Sequence, residues 1–253
     1  MQDNSAELAE ASYIFDKRLE CPCCGKLFTS KVVKTGKARF LGSDMDLRPR
    51  YSGIDTVKYD VYMCTKCGYA AVAREFPNLN AKQTEAVKEE ISSKFHGVVE
   101  GDKIYTYDDA IVRYKMALLV AIKKPSKVSE CAFLCLKLAW LHRSVQETLL
   151  ADKELDSLSP EVKRTVENSN IEEKTYLREA YEGFTDALSK EYPPICGMDE
   201  TTVNYLMSVL AYKNNDYESA SKYGYSVLSS RTASAKVKDK ERDLMDMLKS
   251  DKI

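Results

Sequence analysis

Cysteines are the residues of this chain that are most able to do chemistry, and four of the eight form two matching pairs. Cys21 and Cys24 make the first C-x-x-C pair, and Cys64 and Cys67 make the second. A glycine follows each pair and permits the positive φ angle that a tight turn requires. Two such pairs are the usual spacing of a tetrahedral zinc site with four thiolate ligands. The sequence therefore predicts one Zn²⁺ ion per chain, held by these four cysteines.

The number of ligands indicates what this metal would do. Four thiolates fill the coordination shell of Zn²⁺ and leave no position for a reacting water, so the predicted site is structural. The alternative is a redox dithiol, because the stretch from Cys21 to Cys24 is similar to an oxidoreductase motif, but such motifs occur in a βαβ pattern that this sequence lacks. Cys23 lies inside the first pair, and we expect it to be a spectator rather than a ligand.

Short strands are predicted around both cysteine pairs. Residues 27–33 form a strand, and residues 38–41 form its return strand after a turn. Residues 57–63 alternate between apolar and polar side chains, which is typical of a half-buried strand, and residues 69–72 lead away from the second pair. We interpret residues 13–76 as a small antiparallel zinc ribbon, in which the ion replaces a core too small to fold alone.

From residue 80 onward the pattern changes to that of α-helices. Asn80 is a plausible N-cap, and Thr106 with Asp109 resembles a capping box. The predicted helices cover residues 80–96, 107–124, 128–150, a stretch from 160 to the prolines at 193–194 with a break at 168–170, and residues 199–213, 216–230 and 234–249. The sequence therefore predicts an α+β protein that is mostly α, with a helical domain over residues 80–250.

Three of the helical stretches share a spacing of small and aromatic residues. The shared positions are Ala110, Tyr114 and Ala117, then Ala180, Phe184 and Ala187, then Ala220 and Val227. In the third stretch Gly224 stands where the aromatic residue should be, with Tyr223 beside it. This spacing resembles the second helix of tetratricopeptide repeats, although their period is about 34 residues and the intervals here are seventy and forty. The resemblance implies stacked helix pairs whose concave face binds peptides or proteins. The alternative is a plain helical bundle in which the same residues are core.

The chain as a whole resembles an uncharacterised bacterial family, domain of unknown function 2225. The residues that carry the resemblance are Phe15 to Lys17, Cys21 to Lys26, Asp44 with Arg48 and Tyr51, Val61 to Ala70, and Cys135 to Leu141. The resemblance covers most of the chain, and the second cysteine pair is its most specific part. It implies an N-terminal metal ribbon joined to a tetratricopeptide-like region, and it supplies no activity.

The net charge of the chain indicates whether nucleic acid or an acidic membrane is an expected partner. The formal net charge is -1 at pH 7, so the whole chain has no strong attraction to nucleic acid or to an acidic membrane. One local stretch on the ribbon has basic residues and no acidic ones: Lys26, Lys31, Lys34, Lys37 and Arg39. It could bind nucleic acid, with nearby aromatic rings stacking on bases. We favour the interpretation that it is the solvated face of a hairpin.

A dense polar loop is the best candidate for an enzymatic site. Its charged and aromatic side chains are Asp44, Asp46, Arg48, Arg50, Tyr51 and Asp55. Paired carboxylates beside arginines can perform acid–base chemistry, so an enzyme with a site in residues 44–60 stays an alternative. A loop of this kind more often forms ion pairs that cover a neighbouring domain. The sequence contains no H-E-x-x-H, no G-x-S-x-G and no phosphate-binding glycine loop.

These observations predict a non-enzymatic adaptor protein. The polar, acidic first residues and the absence of an apolar run of about 20 residues lead us to expect a cytoplasmic protein with no membrane segment. For the same reason we expect Cys131 and Cys135, four residues apart on an apolar helix face, to be buried reduced thiols. The expected partner is another protein bound by the helical region, with nucleic acid as the less favoured alternative.

Overall fold

A computed structural model of the chain describes residues 4–98, 103–151 and 154–250. Helix accounts for 58% of the structure, and the strands form small antiparallel pairs near the N-terminus, ahead of an array of helices. The predicted class, α+β and mostly α, is confirmed. Among the described residues, no helix is both long enough and apolar enough to cross a membrane.

The elements follow one another in a simple order. The strands are β1 (Ile14–Glu20), β2 (Leu27–Val33), β3 (Phe40–Ser43), β4 (Pro49–Tyr51), β5 (Val61–Met63) and β6 (Ala70–Val72). The helices are α1 (Asn4–Ala11), α2 (Ala81–Glu90), α3 (Tyr107–Lys123), α4 (Val128–Leu150), α5 (Pro160–Lys190), α6 (Glu200–Lys213), α7 (Tyr217–Ser229) and α8 (Ala235–Ser250). Short 3₁₀ turns occupy Thr56–Tyr59, Ser92–Lys94 and Leu155–Ser157.

The strands pair differently from the prediction. β2 pairs with β1, in the register Ile14 opposite Val33, and not with a return strand at 38–41. β5 pairs with β6, and β3 pairs with β4. Each cysteine pair is itself the turn of a hairpin, so each strand that enters a pair bonds to the strand that leaves it. The predicted strand over 57–63 is wrong at its start, because a 3₁₀ turn capped by the Asp55 carboxylate precedes β5.

The helix starts agree with the local signals, and one predicted interruption does not occur. Asn80 and Thr106 both make complete capping boxes. α5 runs without a break through residues 168–170. Asn and Ser lower helix propensity by only a few tenths of a kcal/mol each, and here the Asn170 amide donates to the Gln146 side chain at 3.2 Å. That contact joins α5 to α4 at the point where the sequence suggested a stop.

The chain divides into two compact units. The first comprises the described parts of Met1–Gly42, Pro49–Ser126 and Trp140–Glu173, and the second those of Ser43–Arg48, Lys127–Ala139 and Lys174–Ile253. The core of the first unit includes the paired cysteines, Phe28, Tyr69 and Phe76. The predicted domains at 13–76 and 80–250 stay a prediction.

Small residues allow close helix packing in the second unit. Ala180, Phe184 and Ala187 of α5 are fully buried. A Cβ placed on Gly183 would lie 2.9 Å from the Ala132 Cβ of α4, so α4 and α5 approach more closely there than an alanine would permit. α6 and α7 form the predicted helical hairpin. Its tetratricopeptide-like nature stays a prediction.

Candidate metal centre

Two hairpin turns of the same construction present the paired cysteines. In the first, Gly25 N donates to Cys21 O at 2.8 Å, and in the second, Gly68 N donates to Cys64 O at 2.9 Å. Both glycines have positive φ angles, 69° and 76°, as the sequence predicted. Each turn therefore curls its two thiols toward the same side of the hairpin. Gly68 meets a second requirement, since a Cβ there would lie 2.8 Å from the Phe95 ring.

The four thiols converge on one point. The Sγ atoms of Cys21 and Cys67 are 3.6 Å apart, and those of Cys24 and Cys64 are 3.8 Å apart. All four sulfurs lie within 4.8 Å of one another. A tetrahedron of thiolates at the usual Zn–S distance of about 2.3 Å has edges of about 3.8 Å, whereas a disulfide joins sulfurs about 2.05 Å apart. The spacing therefore fits a shared metal ion, and all four residues are free cysteines.

Aromatic packing holds the two turns together. Cys21, Cys64 and Cys67 are buried, and Cys24 is partly exposed. The Phe76 ring lies 4.9 Å from the Tyr69 ring, with Phe28 and Tyr62 also in ring contact. The Tyr69 hydroxyl donates to the Phe76 carbonyl at 3.1 Å. This packing role was not predicted from the sequence, although the concentration of aromatic residues around the second cysteine pair was a usable signal.

Mutual hydrogen bonding spreads the pKa values of the thiols. Hydrogen bonds from Cys21 and then from Cys67 lower the pKa of Cys64 to about 2. The hydrogen bond with Cys64 raises the pKa of Cys21 to about 12. Hydrogen bonds with Cys21 and Cys64 also raise the pKa of Cys67. Because metal ligands of this kind must be thiolates, a cation among the four sulfurs would stabilise their deprotonated forms.

Cys23 is buried beside this centre but is not part of the converging group of sulfurs. Burial raises the pKa of its thiol. It packs in the same core as Val87 and Ile91. Its role as a spectator stays a prediction.

Comparison with known proteins relates this chain to a bacterial family. The family model described as "Uncharacterized protein conserved in bacteria (DUF2225)" matches residues 14–248. The chain belongs to this family. The resemblance noted in the sequence is therefore confirmed, while the family itself supplies neither a metal nor an activity.

A relative of this DUF2225 protein occurs in Borreliella burgdorferi and is described as an uncharacterized protein. The two are 24% identical over 126 residues, which is 44% of this chain and 45% of the relative. The chain thus spans less than half the length of this curated relative. No solved structure matches the chain.

The charged residues of the polar loop in the DUF2225 protein are divided between the two compact units. Asp44 and Arg48 belong to the second unit, where their charged groups are 3.9 Å apart. Arg50, Tyr51 and Asp55 belong to the first unit. There Arg50 makes a bidentate ion pair with Glu147.

The remaining members of the loop have structural contacts of their own. Tyr51 packs edge-on against the Phe40 ring. The Asp55 carboxylate accepts from Val57 N at 3.1 Å and from the Ser144 hydroxyl at 2.7 Å. Asp46 is fully buried. The contacts of Asp55 link the 3₁₀ turn at Thr56–Tyr59 to α4.

Most of the basic stretch is engaged within the chain. Lys31 forms an ion pair with Asp16 at 3.0 Å, and Lys34 donates to the Ser12 carbonyl at 2.9 Å. The Lys37 ammonium lies 5.9 Å from the centre of the Tyr13 ring. Lys26 and Arg39 of this group are also exposed.

Proposed function

We propose that Cys21, Cys24, Cys64 and Cys67 bind one structural Zn²⁺ ion, and that the zinc-stabilised chain is a non-enzymatic adaptor whose helical region binds another protein. The observation that carries the metal assignment is the convergence of four thiols, with Sγ–Sγ distances of 3.6 Å for Cys21 and Cys67 and 3.8 Å for Cys24 and Cys64. Thiolates select zinc and other soft metals over Mg²⁺ or Ca²⁺. As part of the proposal we place the protein in the cytoplasm, where thiols stay reduced.

The ion's contribution would be to folding. Structural zinc binds with about 10–16 kcal/mol in comparable small sites, which is as large as the stability of a whole domain. Strands β1, β2, β5 and β6 are each at most seven residues long. Sheets of two strands are marginal in water without further support. A closed four-thiolate shell supplies that support and offers no position to a substrate.

Elemental analysis tests the metal. The chain, purified without added chelator, is expected to carry about one zinc per chain, and Cys64→Ser is expected to lose it. The matched control is Cys131→Ser, which changes a cysteine outside the centre. A wild-type chain without stoichiometric metal, or a Cys64→Ser variant that retains it, would contradict the assignment.

Protein binding by the helices is supported by exposed aromatic side chains. Tyr225 of α7 is 65% exposed and Tyr192 is 91% exposed. Tyrosines often dominate binding energy at interfaces because they bury a large area at small entropic cost. The non-enzymatic part rests on the loop contacts given above and on the lack of a catalytic motif in the sequence.

Quantitative affinity purification tests the adaptor proposal. Native extract is passed over wild type, over Tyr225→Ala and over the control Lys222→Ala, which changes an exposed side chain of the same helix. A saturable partner that is retained by wild type and Lys222→Ala but reduced by Tyr225→Ala supports the proposal. Equal retention by all three chains would argue against this surface.

A further inference from the structure

The outer edge of β1 carries backbone groups with no partner among the described residues. Tyr13 O accepts from Lys34 N at 2.7 Å, and at the other end Cys21 N donates to Lys26 O at 3.1 Å. Backbone hydrogen bonding alternates along an antiparallel pair. The backbone N–H and C=O groups of odd-numbered residues of β1 therefore bond to β2, and those of even-numbered residues point away from β2. Among the described residues, the sheet consists of these two strands. The outward-facing groups on exposed positions belong to Asp16, Arg18 and Glu20.

The opposite edge of the hairpin, along β2, has a hydrogen-bond partner at Lys31. Lys31, opposite Asp16 in the register, faces outward by the same alternation. Its backbone N–H donates to the Tyr105 hydroxyl at 3.2 Å. An edge strand whose backbone groups are left unpaired is a ready template for another strand. β1 is therefore the edge that is open to addition.

An exposed aromatic ring and a cavity lie along the same face of β1. Phe15, Lys17 and Leu19 alternate onto one face, and Phe15 is 45% exposed. A cavity of about 480 Å³ lies at the Leu19 end of the strand, with mostly apolar walls. Its walls include Leu19, Pro22, Tyr62, Phe76 and Pro77. An apolar side chain carried by an added strand would cover this cavity.

We propose that a second copy of this chain adds its own β1 to this edge, antiparallel, with Lys17 opposite Lys17 of the other copy. In this register Asp16 of each copy lies opposite Arg18 of the other, and both positions have outward backbone groups. Shifting by two residues places Asp16 opposite Asp16, or Arg18 opposite Arg18. Each shifted register keeps a like-charge pair and loses both Asp16–Arg18 pairs. Since opposite charges stabilise a cross-strand pair and like charges destabilise it, the register centred on Lys17 has the most favourable balance of charge.

The same register brings the exposed ring to the cavity. Phe15 of one copy becomes the cross-strand neighbour of Leu19 of the other, beside the apolar walls of the cavity. The two-fold axis repeats this contact, so both rings and both cavities are covered. The two Lys17 side chains at the axis oppose the pairing. We therefore expect Lys17→Ser to tighten the dimer by about threefold or more.

Sedimentation of the full-length, zinc-loaded chain over about 1–500 µM tests the proposal. Wild type is expected to show a monomer–dimer equilibrium. Asp16→Arg places two arginines opposite each other and is expected to weaken the dimer by about tenfold or more. Combining it with Arg18→Asp exchanges the charges and is expected to restore the dimer to within about threefold. This rescue would not occur if Asp16→Arg merely damaged the fold.

A second pair of variants tests the ring. Phe15→Ser is expected to weaken the dimer, whereas Leu27→Ser is not, because Leu27 is equally exposed but lies on the other face of the hairpin. Circular dichroism and zinc content verify that each variant is folded. A chain that stays monomeric throughout, or a dimer insensitive to both Asp16→Arg and Phe15→Ser, overturns the proposal. Neither result affects the metal assignment, which has its own measurement.

Discussion

Glu241 is a buried carboxyl group through which the stability of this DUF2225 protein is expected to depend on pH. It is fully buried, and its carboxyl lies 2.8 Å from the Ser208 hydroxyl. That hydroxyl also contacts the Ala220 carbonyl at 2.9 Å. One hydroxyl hydrogen cannot serve both acceptors, so a protonated Glu241 that donates to Ser208 satisfies the group best. Burial raises the pKa of Glu241 to about 7.

The first prediction follows from the sign of this shift. The folded state holds the Glu241 proton up to about pH 7, whereas an unfolded glutamate releases it near pH 4.3. The folded state therefore binds more protons in between, and stability falls as pH rises through that interval. Glu241→Gln is expected to be more stable than wild type by about 1–3 kcal/mol at pH 8.5, with a smaller difference at pH 6.

Urea unfolding at the two pH values measures this effect. The matched control is Asp246→Asn, which changes a mostly exposed carboxylate on the same helix. If the difference in free energy of unfolding between Glu241→Gln and wild type is the same at both pH values, Glu241 is not protonated in the folded state.

At the scale of elements, close contacts decide which small residues can be replaced. The two hairpin turns need positive φ at Gly25 and Gly68, but only the second is crowded. A Cβ on Gly25 would have no neighbour within 4 Å, whereas one on Gly68 would lie 2.8 Å from the Phe95 ring. The two turns therefore form a natural comparison between backbone strain alone and strain combined with overlap.

The second prediction uses that comparison. Gly25→Ala is expected to destabilise the zinc-bound chain by about 1–2 kcal/mol through the left-handed backbone. Gly68→Ala is expected to destabilise it by about 1–3 kcal/mol more, because the Phe95 ring must also move. Thermal unfolding in the presence of zinc compares the two. Equal losses would mean that Phe95 does not pack on the turn.

The third prediction concerns the contact of α4 with α5. Gly183→Ala improves helix propensity by about 1 kcal/mol, but its Cβ would lie 2.9 Å from that of Ala132. We expect the overlap to exceed the gain and to destabilise the chain by about 1–2 kcal/mol net. Adding Ala132→Gly is expected to relieve the overlap, so a double-mutant cycle should show favourable coupling. Additive effects would exclude the contact.

At the scale of the whole molecule, removal of the metal should act on one unit. The thiols belong to the core of the first unit. The second unit has its own core, formed by Tyr205, Val209, Val227, Leu244 and neighbouring residues of α6, α7 and α8. Metal binding requires thiolates, and three of the four thiols are buried in this core, so metal and core stability would be coupled in the first unit.

The fourth prediction is therefore a local response to a chelator. Hydrogen exchange after zinc removal is expected to lose protection in β1, β2, β5 and β6 while protection in α6 and α7 is retained. Cys64→Ser should reproduce the pattern without a chelator. Uniform loss of protection in both sets of elements would show that the metal stabilises the chain globally.

The features that the sequence predicted correctly are those set by interactions between residues close together in the chain. The C-x-x-C-G turns, the capping boxes at Asn80 and Thr106, and the hairpin of α6 and α7 depend on side chains that bond to nearby backbone. They do not depend on the rest of the fold. The mostly helical class and the family relationship followed from the same patterns. The convergence of the two cysteine pairs could be inferred because one ion requires all four ligands.

Only the tertiary structure decided which distant segments meet. The sequence did not show that β2 pairs with β1, that residues 43–48 join the second unit, or that α5 continues through residues 168–170. It also led to no role for Glu241 or for the free edge of β1. Each of these depends on contacts between residues far apart in the chain, where burial and packing outweigh local propensity. The physical reason is that local patterns specify elements, whereas long-range burial selects their partners.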